Sequence, residues 1–282
     1  WTGNRITCRD WFQLCLKEGL TVFRAQEFSS DERSRPVKRI ADVRTLRTTQ
    51  FSEDAGPLAH PVRPRAYKEI NNFYTPTVYE KGAEVIRMLK VLIGIEAFRA
   101  GMDLYFARCD GTAATIEEFL ACFAEASGKD LTQFARWYEQ AGTPTIIASG
   151  RYDAGARSFT LDLAQTTAPT PGQPDKQPVV LPVTLGLVGR AGDLPLRTTS
   201  AAYAGDGLIV LDQPSLSVTF SDLDEQPIPS LLRGFSAPVR LELDLADADL
   251  LRLFSADSDS FNRWQAVQTV ARFDTLWRVS WG

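Results

Sequence analysis

The sequence predicts an α+β, multidomain fold, in which a mostly helical part is followed by an antiparallel β-sandwich and then by the start of a helical region. Up to residue 143, apolar residues recur at helical spacing. Between residues 144 and 245 they form short, partly alternating runs separated by Gly, Pro and Asp, which is typical of a sandwich. Helical spacing then returns. We therefore predict domains at 1–143, 144–245 and 246–282.

Composition limits the possible partners of the chain. Its 282 residues are 44% hydrophobic, enough for a sizeable core. The 31 basic and 35 acidic residues give a net charge of -4, which does not favour a nucleic-acid partner. No apolar run approaches the length of a membrane span. The sequence opens on Trp1 without Met or a leader pattern, so we expect it to begin within a longer protein.

The cysteines indicate a compartment. Cys8, Cys15, Cys109 and Cys122 form neither a CxxC pair nor a small disulfide framework. Free Cys is among the most buried residue types, and Cys15 and Cys122 lie among apolar neighbours. We therefore predict buried free thiols and a reducing, cytoplasmic location.

The first helices are predicted from their apolar faces. A helix around residues 10–28 buries one face and carries Glu18, which would ordinarily be an exposed helix charge. A second helix begins at Arg35-Pro36, since Pro suits a first turn. Residues 51–65, with three prolines, predict an extended loop. The lone His60 lies in that loop, where we expect local hydrogen bonds and no metal.

A later helix carries a second polar side chain of interest. We predict that Thr77 caps a helix with one apolar face, and that Gly82 allows a close approach. Tyr79 lies in its first turn, where a half-buried aromatic ring with a locally bonded hydroxyl is the ordinary interpretation. Further along, Thr115 and Glu118 predict a capping box.

Several longer strings alter the interpretation of both residues. The strings are NR at 4–5, DWF at 10–12, LKEGLTVF at 16–23, NNFY at 71–74 and VYEKGA at 78–83. Together they resemble the aminopeptidase N family of zinc metallopeptidases, in its bacterial branch. The resemblance implies that residues 1–143 are the C-terminal part of a thermolysin-like catalytic domain. It also implies the family's β-sandwich after that, and then the beginning of its C-terminal α-helical domain.

The resemblance implies roles for two residues. In that family, zinc is held by two histidines of a His-Glu-x-x-His helix and by one glutamate further on, which would be Glu18 here. Tyr79 matches the tyrosine that donates a hydrogen bond to the oxyanion of the reaction, a role that suits a neutral phenol. The second family histidine would fall two positions before Trp1. We therefore expect the chain alone to lack the histidine pair and the catalytic glutamate, and to be inactive.

Two functions are compatible with these observations. The first is part of a zinc-dependent aminopeptidase, in which zinc-activated water hydrolyses N-terminal residues from peptides with a free N-terminus. Its partners would be those peptides and the missing N-terminal and C-terminal domains of the same protein, and Zn²⁺ would be its cofactor. The alternative is a non-catalytic binding module that retains a truncated protease scaffold. The β-sandwich carries no motif that would decide between them.

Overall fold

The structure is a computed structural model that describes residues 2–279, with side chains up to residue 271. The chain forms two compact units, which we describe separately. The first contains residues 2–144, 166–181 and 237–239, and the second contains residues 145–165, 182–236 and 240–279. The predicted boundaries at 143 and 245 stay predictions, and residues 280–282 of the predicted last domain lie outside the described range.

The first unit is mostly helical. After strand β1 (Thr7–Cys8) and a 3₁₀ turn (Trp11–Gln13) come helices α1 (Cys15–Glu32) and α2 (Arg35–Asp54). A 3₁₀ turn (Ile70–Phe73) and a π-helical turn (Thr77–Lys81) lead into α3 (Gly82–Ile93) and α4 (Ile95–Cys109). The unit continues with β2 (Ala113–Ala114), α5 (Ile116–Ser127) and α6 (Arg136–Glu139). β1 pairs with β2 in parallel.

The helix ends follow from local chemistry. Pro36 lies in the first turn of α2, as predicted. The Thr115–Glu118 capping box at the start of α5 is confirmed, because each side chain accepts a hydrogen bond from the other residue's backbone N–H. Between α3 and α4 lies Gly94, whose φ of 86° is a conformation that favours glycine.

Two local predictions were wrong. Helix α2 continues through residues 51–54, because Phe51 is buried and Asp54 has buried partners within the unit. Thr77 does not cap the following helix. It is the buried first residue of the π-helical turn, and the hydroxyl of Thr75 instead accepts the hydrogen bond from the Val78 N–H at 3.2 Å.

Aromatic packing holds the helices of the first unit together. The Phe23 ring on α1 packs edge-on against Phe98 on α4 at 5.6 Å. Phe98 in turn packs on Phe123 of α5 at 5.1 Å, and Phe123 packs on Phe119 at 4.7 Å. All four side chains are buried, so this cluster is a core that joins three helices.

The second unit is the predicted sandwich. Its strands are β3 (Pro144–Asp153), β4 (Ser158–Thr167), β5 (Leu181–Val188), β6 (Asp193–Leu194), β7 (Tyr203–Gly205), β8 (Leu208–Leu211), β9 (Ser215–Phe220), β10 (Ile228–Leu231) and β11 (Arg240–Leu243). One sheet has the order β10-β5-β8-β7, with β6 on β5, and the other has the order β11-β3-β4-β9. Antiparallel pairing is confirmed for β10–β5 and β4–β9, whereas β11 pairs with β3 in parallel.

The strands differ in burial: some alternate between buried and less buried residues, and others are buried on both faces. Along β4, Phe159, Leu161 and Leu163 are buried and alternate with less buried residues. Strand β5 is buried along nearly its whole length. After a 3₁₀ turn (Arg233–Phe235), the unit ends in helices α7 (Asp247–Ala256) and α8 (Ser260–Val279). Leu250 and Leu253 of α7 pack with Val188 and Ile228 of the sheet in one apolar cluster.

Two further predictions concern the cysteines and membrane-spanning helices. All four cysteines are free, and three of them (Cys15, Cys109 and Cys122) are buried, in agreement with the sequence. Within residues 2–279, no helix is both long enough and apolar enough to span a membrane.

Candidate active site around Glu18 and Tyr79

Glu18 lies in the first turn of helix α1. The neighbouring Leu16, Gly19 and Leu20 are buried, so the helix is fixed by its inward face. The Glu18 side chain is 14% exposed, and its Oε1 lies 3.4 Å from the Lys17 ammonium. A carboxylate in a first turn is also favoured by the helix dipole. The structure therefore presents Glu18 as a charged, reachable carboxylate on a rigid helix.

Tyr79 lies at the centre of the π-helical turn. The turn closes with the Gly82 N–H donating to the Thr77 carbonyl, five residues back. Its inward face consists of Thr77, Val78 and Lys81, which are buried, whereas the Tyr79 side chain is partly exposed. The backbone thus directs the phenol away from the core.

The structure brings Glu18 and Tyr79 together. Desolvation raises the pKa of Tyr79 to about 12, and the neighbouring charge of Glu18 acts in the same direction. The phenol is therefore neutral near pH 7 and can donate a hydrogen bond. Residues 61 positions apart in the sequence thus lie close enough for the charge of Glu18 to act on the pKa of Tyr79.

A backbone contact beside these residues sets their separation. A Cβ added to Gly19 would lie 2.8 Å from the carbonyl carbon of Gly82 and 3.0 Å from its Cα. No side chain fits there, because the atoms that it would meet belong to backbone. The sequence predicted a close approach at Gly82 but not its partner. The sequence feature that could have indicated Gly19 as that partner is its position directly after Glu18.

Aromatic rings continue the surface from Tyr79. The Tyr74 ring lies 6.2 Å from the Tyr79 ring, and the Trp11 ring lies 6.5 Å from that of Tyr74. Trp11 is 38% and Tyr74 51% exposed. Rings of this kind provide apolar contact area at a low cost in conformational entropy, so this surface could receive an organic ligand.

The π-helical turn is bound to the end of helix α2. Glu53 Oε2 accepts hydrogen bonds from the Thr77 N–H at 2.9 Å and from the Thr77 hydroxyl at 2.6 Å. At the other end of the turn, the Lys81 ammonium donates to Asp54 Oδ2 at 2.8 Å. Sequence reasoning missed Lys81. The available signal was spacing, because residues 78, 81 and 85 share one helical face.

We next ask which residues of this chain could act as ligands of a metal ion. His60, the single histidine of the sequence, has both ring nitrogens engaged locally, Nδ1 with the Leu58 carbonyl at 2.7 Å and Nε2 with the Thr75 hydroxyl at 2.9 Å. Among the side chains that the structure describes, residues 2–271, no three His, Cys, Asp or Glu are grouped to hold a metal ion. The carboxylate of Glu18 fits one position of a zinc site with two histidines and one glutamate.

Comparison with known proteins agrees with this arrangement. Residues 1–138 match the peptidase family M1 domain, and residues 142–244 match a domain of unknown function, DUF3458, with an Ig-like fold. The first 138 residues therefore carry the domain of peptidase family M1. The chain matches bacterial aminopeptidase N over nearly its whole length. It is 58% identical over 280 residues to aminopeptidase N of Caulobacter vibrioides and 49% identical over 271 residues to that of Escherichia coli.

These matches cover 99% and 96% of the chain but 32% and 31% of the two relatives. The chain thus spans about a third of the length of the curated relatives it matches. Among solved structures, it resembles Legionella pneumophila aminopeptidase A in complex with aspartic acid, with a TM-score of 0.79 and 31% identity. That match covers 94% of the chain and 28% of the other protein.

Proposed function

We propose that this chain is the part of a zinc-dependent aminopeptidase that supplies one zinc ligand, Glu18, and one hydrogen-bond donor to the reacting carbonyl group, Tyr79. The observation that carries the proposal is that both side chains, each in its full family motif, lie on adjoining elements, helix α1 and the π-helical turn, where the backbones of Gly19 and Gly82 touch. When bound, zinc would supply the Lewis acidity that activates a water molecule for attack on the first peptide bond.

Glu18 would hold the metal through its carboxylate. Two features support this role. The side chain remains reachable at 14% exposure, and helix α1 is fixed in place by the buried residues on either side of it. Lys17, at 3.4 Å, balances part of the charge while no metal is bound. The remaining ligands, two histidines, would have to come from outside the residues of this chain.

Tyr79 would stabilise charge on the substrate. As the scissile carbonyl oxygen becomes negative, a neutral phenol that donates to it forms a stronger hydrogen bond. The pKa of Tyr79, raised to about 12, keeps the proton on the phenol at neutral pH. Loss of one such donor typically lowers kcat by about 10²–10³-fold.

The substrates would be peptides with a free N-terminus, in keeping with the name aminopeptidase shared by the relatives. The partners of the chain would be the N-terminal and C-terminal domains that complete such an enzyme. We also propose a cytoplasmic location, which the four free cysteines support because free thiols persist in reducing compartments.

The test compares three proteins: the 282-residue chain, the product of its complete reading frame, and that product with Glu18→Ala. Zinc content and cleavage of alanine p-nitroanilide are measured for each. We expect the complete product to bind zinc and cleave, and Glu18→Ala to abolish both. A Tyr79→Phe variant should retain zinc and lose about 10²–10³-fold in kcat. A complete product that neither binds zinc nor cleaves would favour the non-catalytic binding module.

A further inference from the structure

We propose that Lys81 is a positioning residue for Tyr79, and that its buried ion pair with Asp54 holds the π-helical turn in the register that directs the phenol towards Glu18. This inference rests on the proposed function for its catalytic consequence. Its structural part can be tested on the chain alone.

Lys81 is an unusual residue to find in a core. Its side chain is 1% exposed, as is that of Asp54. The ammonium donates to Asp54 Oδ2 and to the Gly142 carbonyl, each at 2.8 Å, and lies 6.0 Å from the centre of the Trp137 ring. Lys is almost never buried without a partner, and desolvating two charges offsets much of their attraction. Stability alone is therefore a weak reason for this pair.

The location of the pair offers a different reason. Lys81 ends the turn that Thr77 begins, and Tyr79 lies midway between them. Thr77 is bound to Glu53, and Lys81 is bound to Asp54, so two consecutive residues of α2 hold the two ends of the turn. With both ends fixed, the direction of the residue between them is fixed as well.

A π-helical turn needs such support. It is rarer than an α-helical turn and contains one residue more, so regular α-helix is the competing conformation of the same residues. Conversion to α-helix would shift the turn by one residue relative to α3 and rotate Tyr79 by about 100°. The phenol would then lose its direction towards Glu18.

The chain offers a matched control pair. Arg39 and Glu84 also link α2 to the chain just after the turn, through two hydrogen bonds of 2.6 and 2.5 Å, with side chains 9% and 3% exposed. Glu84 lies beyond the π-helical turn, in α3. Removal of this pair should therefore affect stability without releasing Tyr79.

The experiment removes both charges of each pair, so that neither partner is left as a single buried charge. Arg87, which also faces Glu84, keeps its pair with Glu27 at 2.6 Å in the control. The variants are Lys81→Met/Asp54→Asn and the control Arg39→Met/Glu84→Gln, both in the 282-residue chain. Asn at position 54 can still accept the hydrogen bond that Asp54 receives from the Thr143 hydroxyl. The first measurement is the NMR signal of Tyr79 in protein labelled with ¹³C at tyrosine Cζ, identified by its loss in Tyr79→Phe.

We expect the Tyr79 signal to move towards that of an exposed tyrosine in Lys81→Met/Asp54→Asn, and to stay in place in the control. Hydrogen exchange of the amides of residues 77–82 should accelerate in the first variant only. An unchanged signal and unchanged exchange would overturn the proposal, and so would equal changes in both variants, because a general loss of stability would then explain them.

In the zinc-loaded product of the complete reading frame, Lys81→Met/Asp54→Asn should lower kcat by about 10-fold or more, part of the loss expected for removing the donor. Zinc content and KM should stay within about twofold, as expected for an interaction made mainly in the transition state. A kcat within twofold of the parent would contradict the positioning role. If the parent itself does not cleave, the proposed function fails, while the NMR and exchange results still decide whether Lys81 positions Tyr79.

Discussion

The two units bury their carboxylates in opposite electrostatic settings. In the first unit, burial of Glu84 is outweighed by the adjacent Arg39, so the pKa of Glu84 lies below its ordinary value. The same holds for Asp54 beside Lys81. In the second unit, burial prevails at Asp257 and raises its pKa, although Ser230 and Arg233 act against this. Charged neighbours thus outweigh desolvation at these buried carboxylates of the helical unit, whereas desolvation prevails at Asp257 even though Arg233 lies 2.8 Å away.

The largest expected effect comes from breaking a charged pair of the first unit. Glu84→Gln removes the carboxylate that Arg39 and Arg87 both face in the interior. Since breaking a buried pair leaves charge without compensation, we expect a loss of about 3–5 kcal/mol in the free energy of unfolding. Urea denaturation followed by circular dichroism measures it, with Arg99→Gln, in the exposed pair with Asp103, as the control. A loss below about 1 kcal/mol, the range measured for surface ion pairs, would contradict the importance of buried charged pairs in the first unit.

An apolar truncation probes the second unit. Leu161 on β4 is fully buried, so Leu161→Ala should cost about 2–5 kcal/mol through lost contacts and a residual cavity. Hydrogen exchange should locate the loss in residues 158–167. The matched control is Leu251→Ala on α7, where the side chain is 56% exposed and the cost should stay below about 1 kcal/mol. Equal costs at both positions would contradict the importance of the sandwich interior.

A smaller effect concerns the stability of the first unit at acidic pH. Burial opposes the charge of Glu27, but hydrogen bonds from Lys90 and Arg87 and their charges lower its pKa to about 2. A depressed folded pKa contributes stability above the ordinary value near pH 4.5, and this contribution is lost as pH falls towards 2. The first unit should therefore weaken between about pH 5 and pH 2. Thermal unfolding across this range should show a shallower pH dependence in Glu27→Gln.

The contribution of Asp257 to stability changes with pH in the opposite direction. Because its folded pKa is raised, its contribution to stability is present in acid and is lost as pH rises above the ordinary value of 3.8. Asp257→Asn should therefore leave the acid sensitivity of the first unit unchanged. If it abolished that sensitivity while Glu27→Gln had no effect, the contrast between the units would be reversed.

The sequence predicted those features that depend on local pattern. Alternation at Phe159, Leu161 and Leu163 predicted β4, and capping chemistry predicted the start of α5. Motif strings identified Glu18 and Tyr79, whose proximity depends on the fold. The parallel pairing of β11 with β3 was missed, because an edge strand that arrives from about 90 residues away leaves no local signal.

Lys81 was missed for a different reason. A lysine is ordinarily exposed, and although spacing places Lys81 on a buried helical face, its partners Asp54 and Gly142 are 27 and 61 residues distant, so spacing cannot reveal the pairing. The π-helical turn was missed because the same residues fit an α-helical pattern equally well. In both cases, contacts distant in sequence override the local preference.

The contact between Gly19 and Gly82 has a consequence for how this surface can vary. The backbones of Gly19 and Gly82 are in direct contact, so no side chain lies between them whose size could change their distance. A Cβ at Gly19 would lie 2.8 Å from the Gly82 carbonyl carbon and force the backbones apart, whereas a Cβ at Gly82 would lie 3.3 Å from the Gly19 Cα and require a shift of only a few tenths of an ångström. Variation of this surface is therefore expected at the aromatic rings of Trp11, Tyr74 and Tyr79, and not at the two glycines.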